Sequence, residues 1–404
     1  MNVNKWTLGL ASLGVISLAS VGHAEEMLSP VLTKVSSTTL SGYVDTTATW
    51  KFGTGDLAMP GRVYDGGAGT YNHDGFNLNV VSLTLDKPLD EDQWSAGYHV
   101  QTLIGPGAAK RGTRSLIGGG AGDIGLNEAY VALRVPVGNG IDLKVGQFGT
   151  YNGYEAYDTY KNPNWSRSYG FFIESSAHVG VSASYQINDN VSVMAGVGNT
   201  AGYNNQIDAS QTIESRKAYL AMISLTAPES FGFLQGATLS LGYTGGDAAQ
   251  GLYTPGSQIQ QNYYIGASVP LPVTGLSLGL AWDYTTGQGY KLANGDKDWA
   301  QAIAVYMSYQ ATEKFKLNGR LDYAKGTDTG AFGAFGYTTA ATDDRNELFS
   351  FTVTADYSLW KNVISRAEFR WDHALEGTPF GGTATKPTSD ENALSVTANI
   401  IYLF

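Results

Sequence analysis

The densest collection of chemically capable side chains in the sequence is YNGYEAYDTYKNPNWSRSYG, residues 151–170. Tyr151, Tyr154, Tyr157, Tyr160, Trp165 and Tyr169 bring six large rings, and Glu155, Asp158, Lys161 and Arg167 bring charges of both signs. Rings order a segment by burial and leave a polar end free to hydrogen-bond a wall. Charges placed across a narrow passage set ion preference and orient dipolar solutes. This is chemistry of selection rather than of bond making. Connecting turns are ordinarily small and polar, so the stretch has to be explained by what flanks it.

Groups for bond making are sparse. The histidines are His23, His73, His99, His178 and His373, far apart in the chain. A barrel hydrolase pairing Ser with His is the enzyme alternative, and only His99, near Ser95 and Gln101, falls on a plausible inward strand face. No nucleophile elbow or His-x-x-x-His pattern occurs. Residues 105–122 are Gly-rich but lack the Lys-Ser/Thr ending of a phosphate loop. Asp343-Asp344 and the Gly-rich 118–123 could bind calcium and read more simply as exposed loop tips. No enzyme activity, cofactor or metal is expected.

The ends of the chain give its address. Asn2 to Lys5 is short and polar with a positive charge, Trp6 to Val21 is mostly apolar, and Gly22 and Ala24 are small residues at cleavage-site spacing. This predicts a signal peptide over 1–24, cleaved after Ala24; a membrane anchor is the other reading. No other apolar run approaches the ~20 residues of a membrane-spanning helix. The chain has 404 residues and no cysteine, which an exported protein of this length tolerates. Its net charge is −11, or −12 once Lys5 leaves with the signal, and this argues against a nucleic-acid partner. At the other end, ALSVTANIIYLF places Leu394, Val396, Ala398, Ile400, Tyr402 and Phe404 on one strand face. Bacterial outer-membrane barrels commonly finish this way, and Phe404, Tyr402 and Ile400 read as the signal taken by barrel-assembly machinery. An ordinary last strand ending in Phe is the alternative.

Between the ends, one unit repeats: about ten alternating residues and a turn. The pattern predicts strands near 39–52, 76–86, 93–104, 123–135, 141–150, 178–187, 190–199, 213–226, 235–245, 260–269, 275–286, 298–310, 313–325, 346–359, 362–373 and 391–404. Connections alternate long and short: 53–75, 105–122, 151–177, 200–212, 246–259, 287–297, 326–345 and 374–390 are the longer ones. The fold class expected is all-β: a transmembrane antiparallel up-and-down barrel of about 16 strands, with 14 to 18 open. Long extracellular loops would mark one rim and short periplasmic turns the other. Domains then follow as 1–24 signal peptide, 25–38 short periplasmic lead and 39–404 barrel.

Faces follow from the pleat. Phe315, Leu317, Leu321 and Tyr323 share one face, and Lys316, Asn318, Arg320 and Asp322 the other. Arg366, Glu368, Arg370 and Asp372 likewise share a face opposite Val363, Ala367, Phe369 and Trp371. A soluble sandwich also alternates. Charged ladders on the polar faces fit a wet lumen better. Rings end the apolar faces, with Trp94, Tyr185 and Phe315 at the short-turn side and Trp50, Tyr243, Tyr284, Tyr323 and Trp371 at the long-loop side. They match the aromatic girdles of a bilayer-spanning wall. Sixteen strands also have to close if no edge is to meet lipid.

Three stretches resemble the β-barrel porin-2 family of bacterial outer membranes: 82–101, 128–148 and 153–181. The Gly-Tyr-Glu at 153–155, Asn-Pro at 162–163, Ser-Arg-Ser-Tyr at 166–169 and His-x-Gly at 178–180 carry the resemblance most specifically. It implies an outer-membrane porin for passive diffusion of small hydrophilic solutes or ions, in contact with outer-membrane lipid and often a homotrimer. It transfers no catalytic residue.

A barrel of 16 strands leaves an aqueous passage where one of eight is filled. Something then narrows the bore, and 151–177 is the best candidate, with an ordered extracellular loop as the alternative. Glu155 and Asp158 would form an acidic side of the constriction, with Arg320, Arg366 and Arg370 on inward faces across the ring. Alternatively those arginines pair with Asp322, Glu368 and Asp372 and keep the wall satisfied, while Arg167 ties the loop down. A sugar-specific channel and a plugged structural or adhesive barrel remain the rival functions.

Overall fold

In the computed structural model, described residues are 31–32, 37–52, 75–109, 124–201, 216–247, 259–291, 297–327, 346–380 and 390–404. The signal segment, most of the lead, His73, Gly118–Gly120 and Asp343-Asp344 lie outside them. A two-residue strand β1 (Val31–Leu32) pairs with the start of β2. The barrel itself is β2 (Thr39–Phe52), β3 (Gly75–Lys87), β4 (Ser95–Ile104), β5 (Ile124–Val135), β6 (Ile141–Gly149), β7 (Ala177–Asn188), β8 (Val191–Gly198) and β9 (Ala218–Thr226), followed by β10 (Thr238–Asp247), β11 (Ile259–Pro270), β12 (Leu276–Lys291), β13 (Lys297–Gln310), β14 (Phe315–Gly326), β15 (Asn346–Tyr357), β16 (Val363–Ala374) and β17 (Asn392–Leu403). Each strand pairs antiparallel with the next. β17 returns to β2, with Val396 opposite Trp50 and Leu403 opposite Tyr43, so a 16-strand sheet closes on itself. No described helix is long and apolar enough to cross a membrane.

Alternation explains both surfaces. Leu280, Val305, Leu321, Phe351, Phe369 and Ile400 are exposed on the outside, where lipid replaces water as the solvent. A cationic residue there would cost about 2–4 kcal/mol at the bilayer midplane. At the long-loop rim, rings follow one another across four strands. Tyr243 and Tyr263 have centroids 5.2 Å apart, Tyr263 and Tyr284 6.2 Å, and Tyr284 and Trp299 6.4 Å. Opposite-facing residues point inward: Asp45 accepts from Asn79 (2.8 Å) and Asn399 (2.7 Å), bonding three neighbouring strands through one carboxylate.

Short turns are built from the residues that turns need. In Pro136–Gly140, Gly138 and Gly140 adopt φ of 60° and 94°. A Cβ on Gly138 would also lie 2.4 Å from the Tyr185 hydroxyl, so the turn requires glycine twice over. Chain closure ends on Phe404, whose N–H donates to Gly42 O (3.0 Å) and whose carbonyl accepts from Gly42 N (2.9 Å). Its ring stacks beside Tyr402 at 6.5 Å.

Three buried apolar clusters lie inside the barrel rather than between sheets, and rings of 151–177 contribute to each. Tyr151 and Tyr154 pack with Phe148, Met194, Leu220, Met222, Tyr264 and Tyr306. Tyr157 and Phe172 pack with Tyr43, Leu103, Ile401 and Leu403. Apolar residues on inward faces therefore mark where the loop rests, which a uniformly polar lumen would not contain.

Candidate functional site

The connection between β6 and β7 is nearly all buried, although it is flanked by strand ends at the long-loop rim. It holds a short 3-10 turn (Thr159–Lys161) and one short helix, Tyr169–Ile173. Ser168 caps that helix by accepting from Phe171 N. Arg167 shapes the loop from within. Its guanidinium donates to the carbonyls of Ala156 (3.1 Å), Trp165 (2.7 Å) and Tyr157 (2.7 Å), and it is wholly buried. One side chain thus satisfies three backbone acceptors that a non-regular segment would leave bare.

The loop then bonds to several strands of the surrounding wall. Toward β14 and β16, Arg320 donates to Glu155 (2.9 Å), Ser166 O (2.7 Å) and Arg167 O (3.0 Å), while its Nε holds Asp322 (2.8 Å). Arg370 donates to Arg167 O (2.6 Å) and pairs with Asp372. Arg366 donates to the carbonyls of Thr159 (2.9 Å) and Asn162 (3.0 Å) and pairs with Asp356 (2.9 Å). Glu368 does the reverse, accepting from Trp165 N (2.7 Å) and Ser166 N (3.0 Å). Toward β2 and β4, Asp158 accepts from Tyr43 (2.9 Å) and Gln101 (2.9 Å) and pairs with Lys161 (2.8 Å). Gln101 sits at a register shift of the β4–β5 pair, the kind of irregularity that re-aims a side chain.

Each ring has its own contact. Tyr151 bonds Ser182 through its hydroxyl (2.8 Å), and Tyr154 stacks on Tyr306 at 4.2 Å. Tyr157 donates to Gly107 O, Tyr160 meets Tyr43 edge-on at 5.1 Å, and Tyr169 donates to Asp372 (2.6 Å). Trp165 is buried. The structure therefore gathers the six charged and six aromatic residues singled out from sequence around one loop. Pairing of Arg320 and Arg370 with Asp322 and Asp372 coexists with their bonds to the loop. Arg366 takes Asp356 instead of Glu368.

Other members of the site carry no sequence signal of their own. Glu174, at the end of the short helix, lies buried against Asp283 of β12, and Gly153 and Gly170 pack directly onto these two carboxyls. Burial first, and Asp283 second, push the Glu174 carboxyl well above the usual range. Asp158 contrasts with it: burial acts upward, but Lys161 and the bonds from Tyr43 and Gln101 outweigh it and hold the carboxyl below its ordinary value. Asn164, Tyr43 and Tyr306 also belong to the site. Their partners lie more than a hundred residues away, so only closure of the barrel brings them together.

The groups weighed for hydrolysis have other partners. His99 bonds Asp86 (2.9 Å) and stacks on Tyr130 at 5.3 Å, and Ser95 Oγ accepts from Asp90 N. Among the described residues no group of three or more His, Cys, Asp or Glu side chains could hold a metal ion.

A closed antiparallel barrel of 16 strands, apolar outside and hydrogen-bonded polar inside, is the architecture of an outer-membrane porin. Residues 37–404 match the family described as "Putative beta-barrel porin-2, OmpL-like", and the chain belongs to that family. Its fold is shared with solved structures of low sequence identity. The outer membrane channel DcaP of Acinetobacter baumannii is 12% identical with a TM-score of 0.57, over 93% of this chain and 100% of that one. An anion-selective porin from Comamonas acidovorans is 14% identical with a TM-score of 0.59, over 91% and 99%. A trimer form of OmpT from Vibrio cholerae is 11% identical with a TM-score of 0.57, over 91% and 99%. A comparison with curated proteins finds no match. Family membership places the barrel in the outer membrane with a general porin role.

Proposed function

We propose that the protein is a diffusion channel for small hydrophilic solutes or ions, narrowed by residues 151–177 lying across its bore. One observation carries this reading: the same loop is bonded through Asp158 to Tyr43 of β2 and through Asn152 to Thr244 of β10, eight strands away either way round the ring, with Arg320, Arg366 and Arg370 holding it between them. A loop standing above the rim could not reach both. Glu155, Asp158, Arg167, Arg320, Arg366 and Arg370 form the constriction, chiefly by holding the loop in place. Lys161, with 40% of its side chain exposed, is the loop charge that meets the solvent most openly.

The rest of the reading follows the chain ends. Residues 1–24 are an export signal removed after Ala24, 25–38 a periplasmic lead, and Phe404, Tyr402 and Ile400 the strand end recognised during barrel assembly. Assembly as a homotrimer in contact with outer-membrane lipid accords with the trimer form of the Vibrio cholerae relative.

A second reading has its own support. Thr159, Arg167, Arg320 and Tyr169 are at most 1% exposed, a degree of closure that suits a plugged barrel. Liposome swelling separates the two. Entry of small sugars at rates falling with size supports the channel; no entry for any solute, with correctly folded protein in the bilayer, supports the plug.

A further inference from the structure

Beneath the loop, at the short-turn rim, lies a cavity of ≈ 470 Å³. Its roof is Tyr154 and Pro163 of the loop, and its sides come from β11, β12, β13 and β14 and the short connections beside them. Pro270, Leu271, Val273 and Leu276 give it an apolar flank, and Ser268, Ser277 and Ser308 give it hydroxyls. Lys316 is its only charged lining residue.

The position of Lys316 makes it more than wall charge. Asp356 stands opposite it in the β14–β15 pair but bonds elsewhere: it pairs with Arg366 at 2.9 Å and accepts from Asn318 at 3.2 Å, and Asn318 Oδ1 accepts from Ser308 at 2.7 Å. Among the described residues Lys316 has no ion pair within 4 Å. The roof above it is fixed, because Tyr154 stacks on Tyr306 at an interplanar angle of 17°. A rigid ring, an apolar flank and one cation that shares its neighbouring carboxylate with Arg366 make up a small-molecule pocket, in which a few polar groups fix orientation and apolar surface supplies contact.

We propose that this cavity binds small organic monoanions: solutes with one carboxylate, held by Lys316, and an apolar or aromatic body lying against Tyr154 and the Pro270–Leu276 flank. A cation is refused by Lys316. A bare inorganic anion gains nothing from the apolar surface, and a neutral sugar leaves the ammonium unanswered. The inference depends on the porin reading only for placing the cavity on the solute's path.

A matched series tests it. Phenylacetate, 2-phenylethylammonium and acetate are titrated calorimetrically into the full barrel in detergent, for wild type, Lys316→Met and Lys316→Arg. Expected results are saturable binding of phenylacetate alone, roughly tenfold weaker in Lys316→Met, as for loss of one charge-assisted hydrogen bond, and largely kept in Lys316→Arg. Equal binding of the anion and the cation, or binding by Lys316→Met as strong as by wild type, overturns the proposal. Heat-modifiable mobility on gels verifies that each variant is folded. Liposome swelling is read separately. Lys316-dependent binding without solute entry leaves the site standing and removes the porin reading; entry without binding does the opposite.

Discussion

Glu155 and Glu174 belong to the same loop and both are buried, yet they are held in opposite ways. Glu155 faces the Arg320 guanidinium at 2.9 Å and also accepts from Ser168 N at 2.7 Å. Glu174 faces another acid, Asp283. At the first site two buried charges cancel through direct bonds. At the second, burial and the neighbouring acid favour the protonated carboxyl. The difference teaches that the loop is fastened by two kinds of contact: an ionic clasp toward β14–β16, and an acid contact toward β12 that pH can loosen.

The largest effect is expected on breaking the ionic clasp. Arg320→Met leaves Glu155 and Asp322 buried without their shared cation, a loss of about 3–5 kcal/mol for such a broken pair. Loop cleavage by added protease should become fast, and single-channel conductance should rise. Next comes Glu155→Gln, which keeps the shape and leaves Arg320 its bond to Asp322. About 1–3 kcal/mol is expected, read as a lower midpoint of loop release in denaturant.

The acid contact gives a smaller effect with a definite sign. In a released loop Glu174 titrates near the ordinary carboxyl value of 4.5, and in the seat its pKa is higher. The seated state therefore binds the proton more tightly. Its proton-linked stabilisation is complete below the ordinary value and is lost as pH rises through the raised one. Protease release of the wild-type loop should speed up as pH increases across that interval. Asp283, Glu155 and Tyr264 face this contact, and Asp283 is the acid hydrogen-bonded to Glu174. Glu174→Gln, permanently neutral, should hold the loop with a weaker dependence on pH than wild type. A wild-type release rate that is flat with pH would contradict the acid contact.

The smallest change is at Lys161, which is partly open to solvent. Its replacement by Met removes the partner of Asp158 and one positive charge near the passage. A shift of reversal potential toward cations is expected, with a loss of stability smaller than for Arg320→Met because Tyr43 and Gln101 still donate to Asp158. Reversal potentials equal to wild type would mean that Lys161 does not face the conducting path.

How much of this was legible beforehand follows from range. Strands were, because each is set by a local pleat: 39–52 and 141–150 were expected where β2 and β6 run over Thr39–Phe52 and Ile141–Gly149. β12 departs most clearly, extending to Lys291 rather than 286. The repeat there gives way to Gly and polar residues, and pairing with β13 continues past a register shift. The loop was visible through its rings and charges, and so were the arginines, because they share an inward face. Invisible were the pairings across the bore. Tyr43 with Asp158 and Asn164 with Thr354 are 115 and 190 residues apart and share no periodicity. Glu174 gave no warning either: an acid at the end of a loop reads as solvated until Asp283 is placed beside it.

The central claim is that residues 151–177 lie inside the bore and narrow it. Single-channel conductance in planar bilayers tests it most directly, comparing wild type with a variant in which 156–166 are replaced by a short Gly-Ser linker. The account predicts a several-fold rise in conductance, from a small or zero starting value, in a barrel whose heat-modifiable mobility is unchanged. Equal conductance in the two folded barrels would contradict it.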